Sequence, residues 1–76
     1  MDWQERIAID PKVMGGKPVI KGTRVPIQVI VGSLAGGDTV AEICEDYGIT
    51  EDDVRAGLAY AAEMLSQERL HALPHR

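Results

Sequence analysis

The 76-residue sequence predicts a mainly α domain, with three helices behind an N-terminal β-hairpin and the last two helices arranged as a helix-turn-helix. Three observations carry that expectation. Two short apolar, β-compatible runs flank a loop containing Gly15-Gly16. Thr39 and Thr50 each stand three residues ahead of a carboxylate, Glu42 and Asp53, which is the spacing of a helix-opening capping box. Beyond each of these starts, apolar residues recur at helical intervals.

The first strand is predicted over about 7–9, Ile7-Ala8-Ile9, and is broken by Asp10-Pro11 because proline lacks the N–H a ladder needs. The second, over about 18–21, runs through Pro18-Val19-Ile20 and ends at Lys21-Gly22-Thr23. A two-stranded hairpin alone is marginal in water, so it must pack on the helices or pair with a second copy. The first helix is expected to start at Val25-Pro26, where a missing N–H costs nothing. Ile27, Ile30, Val31 and Leu34 share one face, and Gly36-Gly37 stops the helix. Its β-branched content would also suit a strand; the spacing and the stop favour helix.

The second helix is placed at about 39–47, with Val40, Ile43, Cys44 and Tyr47 at helical spacing and Gly48 at its end. Cys44 reads as a small buried hydrophobe, since no cation adjoins it in sequence to activate a thiolate. Ile49 fills the turn. The third helix covers about 50–67, its first turn rich in acids that suit the positive end of the helix dipole. Val54, Leu58, Ala61 and Leu65 form its expected buried stripe, and Tyr60 with Met64 forms a second face that is either core or subunit interface. The expected organisation is a single domain over 1–76: an arm at about 7–24, a helical body at 25–68, and a short tail at 69–76 that contains Pro74.

Size and composition narrow the possibilities further. There is no Phe, one Trp and one Cys, so the core is aliphatic and no intrachain disulfide can form. His71 and His75 with one cysteine do not make a closed zinc site. A core of this size supplies only ~3–5 kcal/mol, and with neither metal nor disulfide a homodimer is the expected unit. No apolar run reaches the ~18 residues that span a bilayer, and the opening residues do not read as a secretory signal, so the expected location is cytoplasmic, away from any membrane.

The net charge of -4 argues against nucleic acid, but the charge is divided. Residues 1–38 carry five bases and four acids, a net of +1, and residues 39–76 carry three bases and eight acids, a net of −5. From Lys12 to Arg24 there are four bases and no acid. In DNA-binding helix-turn-helix domains the start of the second helix enters the major groove. Here that start is Glu51, Asp52 and Asp53 with Arg55, and three carboxylates would be repelled by phosphate, so the motif reads first as a packing device. The basic arm is the better DNA candidate, as in β-ribbon readers that bind as dimers. The candidate DNA contacts are Lys17, Lys21, Thr23, Arg24 and Arg55, and the candidate dimer or partner contacts are Val19, Ile20, Tyr60 and Met64. The competing reading has Arg24 pairing with an acid of the body to fix the hairpin, a contact worth only ~0–1 kcal/mol at a surface. No nucleophile–base arrangement or phosphate-cradling loop is present, since Gly15-Gly16-Lys17 leads into Pro18 and an extended run, so no enzyme and no cofactor are expected.

The string Gly15-Gly16-Lys17-Pro18-Val19-Ile20-Lys21-Gly22-Thr23-Arg24-Val25-Pro26, preceded by Ile9-Asp10-Pro11, closely resembles the DUF433 family of small bacterial and archaeal proteins. Leu34-Ala35-Gly36-Gly37, Ala41-Glu42-Ile43, Asp46-Tyr47 and Asp52–Ala61 also fit its pattern, so the resemblance covers about residues 5–63. It implies a homeodomain-like three-helix fold with an N-terminal hairpin, often dimeric. It also implies an antitoxin of a type II toxin–antitoxin pair, one that inhibits a PIN-like ribonuclease toxin and represses its own operon by binding DNA. Antitoxins often carry a long disordered tail, whereas only about eight residues follow the third helix here, which shifts the expected toxin contact to the folded body. The alternative is a protein-interaction module of helix-turn-helix shape that does not bind DNA.

Overall fold

A computed structural model of the chain describes residues 2–67. In chain order it has a 3₁₀ turn (Trp3–Glu5), strand β1 (Ile7–Ala8), a second 3₁₀ turn (Met14–Gly16), strand β2 (Val19–Ile20), and helices α1 (Ile27–Ala35), α2 (Val40–Tyr47) and α3 (Glu51–Gln67). The three helices and the antiparallel hairpin are those expected. The tail at 69–76, with His71, Pro74 and His75, lies outside the described residues.

The hairpin is shorter than its apolar runs. Only Ile7↔Ile20 and Ala8↔Val19 pair, and Ile9 is 58% exposed beyond the end of β1. Such a ribbon cannot stand alone. It is held because Ile7 and Ile20, directly opposite one another, enter the core cluster, and both strands pack against α3. After β2 the chain reverses in a β-turn, in which the Thr23 N–H donates to the Ile20 carbonyl at 3.0 Å and Gly22 takes φ +80°. That left-handed value suits the third position of a type II turn and favours glycine.

The first helix begins two residues later than Val25. Pro26 is its N-cap, with extended backbone angles, and still forms an antiparallel bridge with Val19. The Val25 carbonyl accepts from the Ile20 N–H at 3.0 Å, and the Pro18 carbonyl accepts from the Ile27 N–H at 3.0 Å. Val25-Pro26 therefore completes the small sheet before the helix starts.

Both capping boxes form. In α2 the Thr39 hydroxyl accepts from the Glu42 N–H at 3.1 Å, and the Glu42 carboxylate accepts from the Thr39 N–H at 2.8 Å. In α3 Thr50 and Asp53 repeat the exchange at 3.1 and 3.0 Å. Gly48 closes α2 at φ +68°, a left-handed C-cap that turns the chain sharply toward α3. Ile49 then drops into the core at 6% exposure, as its place in the turn predicts.

The stripe expected on α3 is corrected by the structure. Val54, Ala56 and Gly57 are buried, with Tyr60, Ala61 and Met64 half-buried behind them, while Leu58 and Leu65 are 39% and 61% exposed. The helix is rotated so that Gly57 faces α1. A Cβ at Gly57 would sit 3.4 Å from Ile27 Cδ1 and 3.5 Å from Ile30 Cδ1. The two helices meet here with room for about one methyl group between them. Ile30 and Ile43 are fully buried at the centre of an all-aliphatic core, and no polar side chain is buried among the described residues.

Candidate functional site

The surface of the described residues divides into a basic arm, an acidic helical face and an apolar groove. The arm carries Lys12, Lys17, Lys21 and Arg24, all exposed, and none of them makes an ion pair among the described residues. The competing reading, in which Arg24 pairs with an acid of the body, finds no such ion pair there. Arg6 takes that place. Its guanidinium lies 3.0 Å from Asp53 Oδ1 and 3.7 Å from Asp52 Oδ2, and so fastens the start of β1 to the first turn of α3. Nothing in the sequence distinguished Arg6 from other cations, because its partners are more than forty residues away and only the fold brings them together.

Asp53 has two tasks. Burial pushes its carboxyl up, but the Thr50 backbone N–H, the Arg6 guanidinium and the Thr50 hydroxyl together hold it below the usual carboxylate range. The net effect is a carboxylate ionised at neutral pH that caps α3 and anchors the hairpin.

Two of the five candidate DNA contacts are already engaged. The Thr23 hydroxyl donates to the Ile20 carbonyl at 2.7 Å and accepts from the Val25 N–H at 3.0 Å. A hydroxyl has one proton, so Thr23 has none to offer a phosphate unless the turn opens. Arg55 donates to Asp52 at 3.0 Å and to Glu51 at 3.2 Å, both on its own helix, and its charge is largely compensated. Lys17, Lys21 and Arg24 remain, cations of the arm with no ion pair among the described residues.

The apolar candidates also separate. Val19 and Ile20 are each 2% exposed inside the chain's own fold and present no side-chain surface to a partner. Tyr60 and Met64 are half-buried and line an apolar groove of about 470 Å³ between α1 and α3. Pro18, Pro26, Ile27, Val31, Ala61 and Leu65 are also among its lining residues, as is Lys17. Tyr60 is also braced from behind, its ring 5.1 Å from that of Trp3 in an edge-to-face contact at 78°. Tyr60 thus serves both core and surface, which the even alternatives of the sequence reading could not separate. On the outer side of α2 and α3, Glu42, Glu45, Asp46, Glu51 and Asp52 are all exposed. Among the described residues, no helix is long and apolar enough to cross a membrane, and no three His, Cys, Asp or Glu residues gather to hold a metal ion.

A hairpin braced on three helices, the last two joined through a glycine C-cap and a buried isoleucine, defines a small mainly helical domain of helix-turn-helix geometry. The chain belongs to the DUF433 family, described as "Protein of unknown function (DUF433)", whose model matches residues 7–61. A crystal structure of a DUF433 member protein from Anabaena variabilis superimposes with a TM-score of 0.77 at 32% identity, over 84% of this chain and 64% of that one. The crystal structure of Rv2018 from Mycobacterium tuberculosis gives 0.66 at 32% identity, over 74% of this chain and 27% of that one. Among curated proteins, "Putative antitoxin VapB45" of Mycobacterium tuberculosis is 35% identical over 52 residues, 68% of this chain. "Uncharacterized protein y4eO" of Sinorhizobium fredii is 32% identical over 59 residues, 76% of this chain. The chain spans about a quarter of the length of these two relatives, 22% and 27% respectively.

Proposed function

We propose that this protein is the antitoxin of a type II toxin–antitoxin pair, which binds and inhibits a PIN-like ribonuclease and represses its own operon. The observation that carries the reading is the 35% identity, across 68% of the chain, to a relative named as an antitoxin. The division of charge supports two partners of opposite sign. The exposed acids of α2 and α3 suit a ribonuclease, whose RNA-binding surface must be basic. The groove beside Tyr60 and Met64 supplies apolar contact next to that face. Lys17, Lys21 and Arg24, exposed and without an ion pair among the described residues, suit phosphate. The protein acts by binding and carries no reaction of its own.

A second reading has an observation in its favour: an interaction module that leaves DNA alone. The first turn of α3 presents Glu51 and Asp52, and Arg55 is bound to both. A fluorescence titration against the upstream promoter, at low and at physiological salt, separates the two. Saturable binding is expected, weakened and flattened in its salt dependence by Lys21→Ala with Arg24→Ala. The absence of saturable binding at either salt would leave the second reading. For the toxin, co-expression with the product of the neighbouring gene should restore growth and yield a co-purifying complex. Failure of both would remove the antitoxin assignment.

A further inference from the structure

Residues 11–37 hold four bases and no acid, and this stretch includes all of α1 as well as most of the arm. The chain folds part of it into a second short ribbon. Val19 bridges to Pro26, the Ile20 N–H donates to the Val25 carbonyl, and the Ile27 N–H donates to the Pro18 carbonyl. One step further in that register sets Lys17 opposite Gln28, and both line the same groove. At the other end, Lys21 and Arg24 face one another across the turn that contains Gly22. Val19 is buried between the two ends, so the ribbon offers its cations at the ends and not at the middle.

The outer side of α1 continues the surface at the Lys17 end. Gln28, Val31, Gly32 and Ala35 lie at i, i+3, i+4 and i+7, and all four are exposed. This face carries no charge, and Gly32 and Ala35 keep it low enough for close approach. The Gln28 amide enters none of the side-chain hydrogen bonds among the described residues, so its donors and its acceptor are unengaged there. Val31, one turn on, is 37% exposed. The start of α3 has no comparable face, since it presents Glu51 and Asp52, both joined to Arg55.

We propose that α1, and not the second helix of the helix-turn-helix, α3, faces the major groove of DNA, and that Gln28 is the residue that reads a base. The inference rests on the reading of DNA as a partner and assigns the surface that meets it. A glutamine amide bonds adenine twice, donating to N7 and accepting from the N6 amino group, while an apolar side chain packs on the methyl group of thymine. Gln28 and Val31 are neighbours on one helix face and supply both contacts for a single A·T pair. Lys17, across from Gln28, meets a phosphate at the edge of the groove. Lys21 lies four residues along the arm from Lys17, about 13 Å at the rise of an extended chain, with Arg24 beside it. The major groove is about 12 Å wide, so the two cationic ends reach the strands on either side of it while α1 looks in. The phosphate contacts hold the register, and Gln28 carries the sequence preference.

The test separates affinity from sequence preference. A pool of DNA duplexes with a randomised centre, selected against the wild-type chain, supplies the probe. The selected duplex, a scrambled duplex, and copies of the selected one with each A·T pair changed in turn to G·C are titrated by fluorescence anisotropy at low and physiological salt. The wild type should prefer the selected duplex, with one A·T pair carrying about 5- to 150-fold of that preference. Gln28→Ala should erase the preference at that pair. Its affinity for the scrambled duplex and its circular dichroism spectrum should not change, because the side chain is exposed. Lys17→Ala should weaken both duplexes alike and reduce the salt slope by about one. Arg55→Ala should leave the preference intact. If no duplex is bound at either salt, the reading of DNA as a partner falls and the assignment of α1 falls with it. If the selected duplex is bound but Gln28→Ala keeps the full preference, or if the wild type binds every duplex alike, only the assignment of α1 is overturned. Loss of the preference in Arg55→Ala would overturn it too, because α3 then reads the sequence.

Discussion

Gly57 offers the sharpest test of the packing described above. It is buried where α3 crosses α1, and a Cβ there would meet Ile27 Cδ1 at 3.4 Å, Ile30 Cδ1 at 3.5 Å and Ile27 Cγ2 at 3.6 Å. These are ordinary contact distances, and the nearest atoms are the tips of flexible side chains. An alanine methyl therefore fills space without displacing backbone. In a helix interior alanine is favoured over glycine by about 0.8–1.0 kcal/mol, mostly through the entropy of the unfolded chain. Gly57→Ala should raise stability by about 1 kcal/mol, or roughly 4–8 °C in Tm for a domain of this size. Gly57→Leu cannot be placed against the same isoleucines without moving α1, and it should lose about 1–3 kcal/mol by overpacking. Urea denaturation followed by circular dichroism, at one protein concentration, reads both variants. If Gly57→Ala is destabilising, the helices cross more closely than the contact distances allow and the reasoning is refuted. If Gly57→Leu is tolerated, α3 does not face α1 at this residue.

Asp53→Asn should cost about 1 kcal/mol at pH 7, since the amide can still accept from Thr50 but no longer pairs with the partly exposed Arg6 guanidinium. The folded-state carboxyl is held below its ordinary value, so its stabilisation is complete above the unfolded pKa of about 3.9 and is lost as pH falls through the folded value. The gap between wild type and Asp53→Asn, measured by urea melts from neutral to strongly acidic pH, should therefore close on the acid side. A gap that is constant with pH would mean the carboxylate charge plays no part. Thr39→Ala removes the hydroxyl that accepts from Glu42 and should lower stability by about 1 kcal/mol in thermal melts. Ile30→Ala empties the fully buried centre of the core; a loss of about 2–5 kcal/mol approaches everything so small a core supplies, so loss of the cooperative unfolding transition is expected by calorimetry.

Local chemistry explains why so much was readable from the chain. A capping box needs a hydroxyl and a carboxylate three residues apart, a left-handed C-cap needs glycine, and a strand cannot pass through Asp10-Pro11. Each of these is satisfied by residues adjacent in sequence, so both capping boxes, the Gly48 turn, the buried Ile49 and the two paired strands all lie where neighbouring residues require. The cationic arm was legible for the same reason, since charge is carried by residue type and Lys17, Lys21 and Arg24 need no partner to be counted.

What the sequence left undetermined is what depends on distant neighbours. A stripe of Val54, Leu58, Ala61 and Leu65 satisfies helical periodicity as well as the true buried face does. Periodicity gives the existence of a face, not its direction. Only the crossing with Ile27 and Ile30, which Gly57 faces, turned Leu58 and Leu65 outward. Val19 and Ile20 read as candidate partner contacts, and the packing of β2 against α3 buries both inside the chain's own fold. Thr23 and Arg55 looked available to phosphate until their hydrogen bonds were in view. Residue type and short-range order thus determined the elements, their ends and the division of charge. Tertiary packing decided which faces were used up and which remained for partners, because burial is settled between residues far apart in the chain.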